Sequence, residues 1–317
     1  YAIGGLVTGN NYTDKLRNEI TSTTGARAEF FDKTLRLNAD FTYKANWGNN
    51  MKKNTMVSYS EAPGHIAWVG AQGVDDYITE EWTRWSYIST NAYLEYANLW
   101  NEKHDFKALL GYNFERAADK LQNTLRYGLI SNDAESIQMA MGDNITTYGW
   151  EARWRSIGAF ARLNYSYDDR YLVELNARYD GSSKFPTNQQ WGFFPSVSAA
   201  WRVSGEHWWN VSPTIISSLK LRASWGQLGN GNVDAYAYVE RFGFGNLSNV
   251  IDGVAKRRMT SIPSQIPDGL TWETSQTIDG GVDIGLYNGK INITGDYYVR
   301  NTLNMYTVGP SLPDTYG

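Results

Sequence analysis

The chain has 317 residues, 15% of them aromatic, no cysteine and a formal net charge of −4. Mild acidity with scattered Lys and Arg excludes an electrostatic footprint for nucleic acid, and the lack of cysteine excludes disulfides, thiolate metal sites and cysteine nucleophiles. No segment approaches the roughly 18 consecutive apolar residues of a membrane helix, but a β-strand that faces lipid needs apolar residues only at alternate positions.

Alternation of apolar and polar residues predicts a chain of β-strands. The clearest run extends from Lys33 to Trp47, with Leu35, Leu37 and Phe41 among its apolar positions. At about 3.3 Å per residue this strand spans roughly 40 Å, far more than the common soluble strand of about 5 to 6 residues. About ten strands are predicted, at 24–30, 33–47, 85–99, 104–116, 151–167, 171–180, 191–203, 217–226, 272–286 and 290–303.

The connections between these strands are of two kinds. Tight polar turns are predicted at 32–33, 101–104, 168–170 and 288–289, whereas the long polar stretches 48–84, 117–150 and 226–270 are interpreted as loops. Two connections are less regular, 181–190 and 204–218, and the second is expected to hold a helical turn near Trp208 and Trp209. If each hairpin runs up and then down, turns and loops fall at opposite ends, as in an outer-membrane barrel, whereas a β-sandwich has no reason to sort them.

Several segments of the second half are more specific than the strand pattern. They are YLVELNARYDGSSKF from Tyr171, WGFFPSVSAAWR from Trp191, LKLRASWGQLGN from Leu219, and the pair Trp272 and Glu273. Together they resemble the barrel of SusC/RagA-type TonB-dependent outer-membrane transporters. The turn and strand-entry residues of these motifs are interpreted as structural. They are Asp180, Gly181, Ser182, Ser183, Trp191, Gly192, Pro195, Trp225 and Gly226.

The resemblance implies a transmembrane antiparallel up-and-down β-barrel of about 22 strands around an N-terminal plug, in the bacterial cell outer membrane. Residues 1–317 are therefore expected to be a partial barrel, with the plug and the remaining strands outside this chain. The family implies active import of an oligomeric nutrient, glycan or peptide, with four partners: TonB acting through the N-terminal region, a SusD-like surface lipoprotein, the ligand and outer-membrane lipid. It implies neither bond chemistry nor a cofactor.

Aromatic residues near the long loops are candidate ligand contacts, because flat rings pack against sugar faces. The alternative for each is a membrane-interface girdle or packing within a loop. These residues are Trp47, Trp68, Trp82, Trp85, Tyr148, Trp150 and Trp272. Charges on the polar side of the strands, Arg36, Asp40, Arg178 and Asp296, are expected either to line a wet interior or to pair with one another or with the plug.

Catalysis receives no support from the sequence. His65, His104 and His207 are far apart and lie in no metal-ligand spacing, and no nucleophile elbow is present, so no catalytic or metal residue is assigned. Two alternatives to the importer remain open at this point. A passive porin would share the strand pattern, and a secreted carbohydrate-binding β-sandwich would share the aromatic content.

Overall fold

A computed structural model describes residues 10–69, 75–250, 256–260 and 269–305. Within these residues the regular structure is almost entirely β-strand, with two short 3₁₀ turns at Ile137–Met139 and Val203–Gly205. The second turn lies a few residues before Trp208, where the sequence suggested a helical turn. Among the described residues, no helix has the length and hydrophobicity that crossing a bilayer requires.

Ten strands form one antiparallel sheet, and two further hairpins stand apart from it. The sheet order is β1-β2-β5-β6-β7-β8-β9-β10-β13-β14, and the separate hairpins are β3–β4 and β11–β12. The strands are β1 (Tyr12–Phe30), β2 (Leu35–Asn54), β3 (Val57–Ala62), β4 (His65–Val69), β5 (Tyr77–Trp100), β6 (His104–Tyr127), β7 (Ile145–Tyr167), β8 (Tyr171–Ser182), β9 (Trp191–Arg202), β10 (Ile216–Asn230), β11 (Phe244–Val250), β12 (Lys256–Thr260), β13 (Glu273–Leu286) and β14 (Ile291–Leu303). In the described part of the chain, β1 and β14 each pair with one sheet neighbour only, so the sheet is a partial barrel wall.

The ten predicted strands correspond to the ten strands of this sheet. The interpretation of the three long stretches as loops over their whole length is wrong, because strands extend into each of them. β5 and β6 are 24 residues each, and β2 extends to Asn54. The stretch 48–84 also contains the hairpin β3–β4, and 226–270 contains the end of β10 and the hairpin β11–β12, with 251–255 and 261–268 outside the described residues. Outside the bilayer a strand needs paired backbone groups but no apolar face. The alternation of apolar and polar residues therefore ends before the strand itself ends.

The predicted tight turns are confirmed, and their backbone explains their sequences. Consecutive residues with positive φ occur at Asn101 and Glu102, at Asp168 and Asp169, and at Tyr287 and Asn288. Two successive positive φ angles define the turn type whose twist suits a two-residue hairpin, and Asn and Asp tolerate that conformation best among residues with a side chain. These turns fix the register of the neighbouring strands.

The sheet has an apolar face and a polar face. On β2 the side chains of Leu37, Ala39 and Phe41 are exposed, whereas those of Asn38 and Asp40 are half-buried. This is the reverse of a soluble sheet, and it is the arrangement of a barrel that meets lipid outside. Exposed apolar residues continue the apolar face on other strands at Leu94, Leu110, Leu163, Val173, Leu175, Val197, Leu221, Ile278, Ile293 and Val299.

The chain divides into two compact units. The first takes in the described parts of Tyr1–Thr24, Phe41–Ser89 and Arg116–Arg153, and the second those of Gly25–Asp40, Thr90–Glu115 and Trp154–Gly317. The first unit has a small apolar core, made of Ile78, Leu129, Ala134 and Ala140 with Met51, Ile137 and Met139 packed against it.

The buried residue Asp76 makes hydrogen bonds that hold the segment beginning at Gly128 next to this core. The backbone N–H of Leu129 donates to Asp76 Oδ2 at 2.9 Å, and Gly128 N–H donates to the Asp76 carbonyl at 3.0 Å. Lys53 Nζ donates to the carbonyl oxygen of Asn132 at 3.1 Å. These bonds explain why a stretch with turn-rich sequence is nevertheless ordered.

Candidate functional site

The polar face of β10, β13 and β14 carries a network of charged side chains. Arg222 Nε donates to Asp283 Oδ2 at 2.9 Å and Nη2 to Asp283 Oδ1 at 3.1 Å, and the same Nη2 lies 2.9 Å from Asp296 Oδ1. Thr294 Oγ1 donates to Asp283 at 3.0 Å. One arginine therefore makes charge-assisted contacts with carboxylates from two other strands.

A glycine makes the three-strand contact possible. In the register of the sheet, Gly281 lies opposite Arg222 on one side and opposite Asp296 on the other. A Cβ at this position would collide with the Asp296 carboxylate and come within 3.0 Å of the Arg222 guanidinium. Because Gly281 has no side chain, the Arg222 guanidinium and the Asp296 carboxylate can approach each other across it.

Amide side chains continue the polar face on β2, β5 and β6. Asn91 Nδ2 donates to Asp40 Oδ2 at 2.7 Å, and Asn113 Nδ2 donates to Asn91 Oδ1 at 2.6 Å. Nearby, Asn38 Nδ2 donates to Glu95 Oε2 at 3.3 Å. These bonds run across strands, so they tie the polar face together as well as making it hydrophilic.

The polar face also contains an open depression of about 520 Å³ within the second unit. Charged residues of both signs line it, among them Lys107, Glu174, Lys220 and Asp279. Such a surface can hold polar groups of a ligand or of another protein segment through hydrogen bonds and ion pairs.

The four charged residues singled out from the sequence each have a partner. Arg178 Nε contacts Asp180 Oδ2 at 2.6 Å, and Arg36 lies 4.0 Å from Glu29. Asp40 and Asp296 belong to the networks described above. Charge pairing therefore accounts for Arg178 and Asp296, whereas Asp40 accepts a hydrogen bond from an amide and Arg36 lies at the distance limit for an ion pair.

A second cluster lies where β8 and β9 approach the tight turns. Glu206 is buried, with Arg170 Nη1 at 2.8 Å from Oε2 and Trp201 Nε1 donating to Oε1 at 2.9 Å. Hydrogen bonds from Tyr171 and Trp201, reinforced by Arg170, hold the pKa of the Glu206 carboxyl below its ordinary value although burial opposes this. Asp168 pairs with Arg170 from the other side at 2.8 Å. The cluster fastens the connection after β9 to the turn before β8.

Trp272 packs against two phenylalanine rings. Its ring centroid lies 5.2 Å from that of Phe185 and 5.5 Å from that of Phe194, and its Nε1 donates to the Gln190 carbonyl at 2.8 Å. Phe185 is fully buried. These contacts favour the packing alternative over ligand stacking for Trp272.

Two of the other candidate aromatics line a common depression. Trp47 and Trp82 line one depression of about 520 Å³, at alternate positions that belong to the apolar face of β2 and β5. Trp85 lies on the opposite face of β5, where its ring stacks on Tyr87 with centroids 6.0 Å apart. The remaining three are exposed, one on β4 and two near the start of β7: Trp68, Tyr148 and Trp150.

The motif residues that carried the resemblance make structural contacts. The Trp191 ring lies over Gly181, its partner across β8 and β9, and stacks on Tyr179 with centroids 4.9 Å apart. Gly226 faces Ser196 closely, and Ser183 Oγ accepts the backbone N–H of Arg155 at 2.8 Å.

Other motif residues take part in the strand pairing. Pro195 is the fifth residue of β9 rather than its entry, and it immediately precedes the first residue paired with β10, Ser196. Trp225 lies on β10 opposite Val197, Gly192 leaves room for the Phe194 ring, and Ser182 Oγ accepts the N–H of Lys184.

Sequence reasoning missed Arg222, Asp283 and Glu206. The hairpin turn at 287–290 sets Asp283 opposite Thr294, so part of the first network was accessible from turn position alone. The position of Arg222 depends on a pairing across a connection of more than forty residues, for which the sequence holds no local signal. The described residues contain no group of three or more His, Asp or Glu side chains able to hold a metal ion.

Comparisons with known proteins agree with this architecture. The family described as "TonB dependent receptor-like, beta-barrel" matches residues 2–317. TonB-dependent receptor P26 of Formosa agariphila is 30% identical over 258 residues, which cover 80% of this chain and 25% of that protein. TonB-dependent receptor SusC of Bacteroides thetaiotaomicron is 35% identical over 147 residues, 46% of this chain and 15% of that protein.

A solved structure titled as the RagAB peptide transporter has the same fold, with a TM-score of 0.78 at 20% identity. The match covers 95% of this chain and 32% of that chain. The chain thus spans a third or less of each of these relatives, which are named as receptors or a transporter. With a family match over nearly its whole length, the chain belongs to the TonB-dependent receptor-like β-barrel family, whose SusC and RagA relatives are outer-membrane proteins.

Proposed function

We propose that this chain is part of the barrel wall of an importer that moves oligomeric nutrients across the outer membrane with energy delivered by TonB. The observation that carries the proposal is the two-faced sheet of an outer-membrane family, apolar and exposed on one side, polar and internally paired on the other. The wall itself performs no bond chemistry and uses no cofactor. Its task is to separate lipid from a hydrophilic path.

The paired charges of the polar face suit that task. Arg222 with its two carboxylates, and the amides around Asp40, present hydrogen-bonding groups without a large net charge. A polar cargo or a plug segment can slide along such a surface because bonds are exchanged rather than lost. The depression near Lys107 and Glu174 is the proposed contact region for the plug or the cargo.

We further propose that the complete protein, with a plug and further strands beyond this chain, acts with a SusD-like surface lipoprotein. Support comes from the likeness to SusC and from the fold shared with the RagAB peptide transporter. The cargo is a glycan or a peptide. Trp68, Trp85, Tyr148 and Trp150 remain its candidate aromatic contacts, whereas the positions of Trp47, Trp82 and Trp272 favour other roles.

Transport by cells that carry the complete gene tests this function. Uptake of a labelled tryptic digest and of a labelled oligosaccharide mixture would be measured with and without TonB, and with a protonophore. We expect uptake of one of the two classes, lost when TonB or the proton gradient is removed. Uptake that persists without TonB would contradict the proposal.

A passive porin is the second candidate, because it would have the same two-faced strands. Steady single-channel conductance by the complete protein in planar bilayers, without TonB, would favour it. The secreted β-sandwich considered from the sequence is wrong. Its apolar face would pack against a second sheet, whereas here the ten strands form one sheet whose apolar side chains are exposed.

A further inference from the structure

The apolar face changes character toward the long-connection end of β5, β6 and β7. On β5 the alternate positions that include Ile88 and Leu94 continue through Arg84 to Trp82. On β6 the positions that include Leu110 and Phe114 continue through Arg116 to Lys120. On β7, Arg153 lies at a position that belongs to the same face. We call Arg84, Arg116, Lys120 and Arg153 the outer cationic patch.

Two adjoining depressions confirm that these residues share one surface. The first, of about 320 Å³, is lined by all four cations of the patch together with Glu151 and Asp119. The second, of about 520 Å³, is lined by Trp47 and Trp82 and shares Arg84 and Lys120 with the first. Cations and broad aromatic rings therefore border the same continuous recess, and all of it lies within the first compact unit.

About half of the positive charge in the patch is uncompensated. Arg153 pairs with Glu151. In the part of the chain that the structure describes, Arg84, Arg116 and Lys120 make no ion pair with a carboxylate. Four cations against two carboxylates leave a net charge of about +2 on a surface that continues directly from a lipid-facing one. An anion held there gains from several charges at once.

The depth of the patch follows from strand geometry. A strand tilted by about 40° rises roughly 2.5 Å per residue, so about 16 to 18 residues cross a bilayer of about 40–45 Å including both headgroup layers. Arg84 is 16 residues from Trp100, where β5 meets its tight turn, and Lys120 is 16 residues from His104, where β6 leaves that turn. Both cations are therefore expected at the level of the outer headgroups.

We propose that the outer cationic patch, with Trp47 and Trp82 beside it, is a binding site for the phosphorylated headgroup of an outer-leaflet glycolipid. The cations bind the phosphate, and the two rings pack against the sugar face or the upper acyl chain. The site faces away from the polar path, so transported cargo does not reach it. The charge, the depth and the continuity with the apolar face all fit a lipid headgroup.

Retention of bound lipid A by the purified complete protein tests this site. The protein would be placed in nanodiscs of zwitterionic lipid containing phosphorylated lipid A or its dephosphorylated form, and bound glycolipid counted by native mass spectrometry. The test variant is Arg84→Gln with Lys120→Gln. The matched control is Lys33→Gln with Lys103→Gln, which removes the same charge from exposed residues at the tight-turn end.

We expect wild type and control to retain phosphorylated lipid A, and the test variant to bind it about 30-fold more weakly, from about fivefold for each of the two charges removed. The dephosphorylated form should be retained weakly by all three proteins. Retention by the test variant equal to wild type, or equal retention of both lipid forms, would overturn the proposal. So would displacement of lipid A by millimolar inorganic phosphate, because the patch would then be a site for free anions.

Each variant needs evidence that it is folded. Heat-modifiable migration on gels reports this independently of lipid binding. Arg84→Lys with Lys120→Arg provides a second test, since it keeps both charges and should retain lipid A within about threefold of wild type. Loss of retention in this charge-conserving variant would mean that net charge is not what holds the lipid.

Discussion

Substituting Ala39 by Arg provides the most direct test of which face meets lipid. Ala39 is exposed on β2 between Leu37 and Phe41, whose side chains are 44% and 46% exposed. It is five residues beyond Thr34, the last residue of the preceding turn. At roughly 2.5 Å of rise per residue this is about 12 Å from the turn, which places Ala39 inside the apolar band but on the tight-turn side of the bilayer midplane.

An arginine on the lipid side at this depth, between the interface and the midplane, is expected to cost about 1–3 kcal/mol of unfolding free energy. The matched control is Asn38→Arg, one residue away on the polar face. Asn38 lies 3.3 Å from the Glu95 carboxylate, so an arginine there gains a partner and the expected change is within about 0.5 kcal/mol. The same side chain is thus compared on two faces at nearly the same depth.

The measurement is equilibrium unfolding of the complete barrel in lipid vesicles by guanidinium chloride, followed through tryptophan fluorescence. Midpoints are compared at equal slope, since a changed slope would report a change in exposed surface rather than in stability. Equal costs for the two variants, or a larger cost for Asn38→Arg, would refute the assignment of the apolar face to lipid.

Three further predictions concern the polar face and the clusters around it. Gly281→Ala should lower stability by about 1–3 kcal/mol because the new methyl group collides with Asp296. Gly280→Ala, with open space around it, should change stability little. Equal effects of the two substitutions in the same denaturation assay would contradict the role given to Gly281. Trp272→Ala should lower stability by about 3 kcal/mol or more if Trp272 is packing, and loss of cargo uptake at unchanged stability would instead make it a ligand contact. The difference in Tm between wild type and Glu206→Gln should be largest at neutral pH and shrink as the pH falls below about 4. A carboxyl whose pKa is lowered by folding stabilises the protein above its ordinary pKa, and that stabilisation is lost when the carboxyl is protonated. A difference in Tm that does not depend on pH would contradict this prediction.

The membrane-crossing part of the fold could be predicted because lipid imposes a strict rule on sequence. Alternation along 33–47 identified β2 and the faces of its residues, and polar residues such as Asp168 and Asn288 identified the tight turns. The strand extensions obey no such rule. From about Gly48 onward β2 has polar residues on both faces, so nothing in its sequence distinguishes a paired strand from a loop.

Side-chain networks were less accessible because they depend on register between strands that are distant in sequence. Arg222 meets Asp283 only after β10 and β13 pair, although 61 residues separate the two side chains. Trp272 looked like a loop aromatic because it precedes β13, but Phe185 and Phe194, from two other segments, enclose it. Local sequence shows that a ring is present but not what covers it.

The length of β5 and β6 has a consequence for how recognition can change over time. Where the outward-projecting part of the wall is a hydrogen-bonded ladder, its side chains are held at fixed spacing before any ligand arrives, and little conformational entropy is lost on binding. A new specificity then requires a different side chain at an existing position, with no redesign of the backbone. Such a wall can be retuned by single substitutions while its strands keep their register.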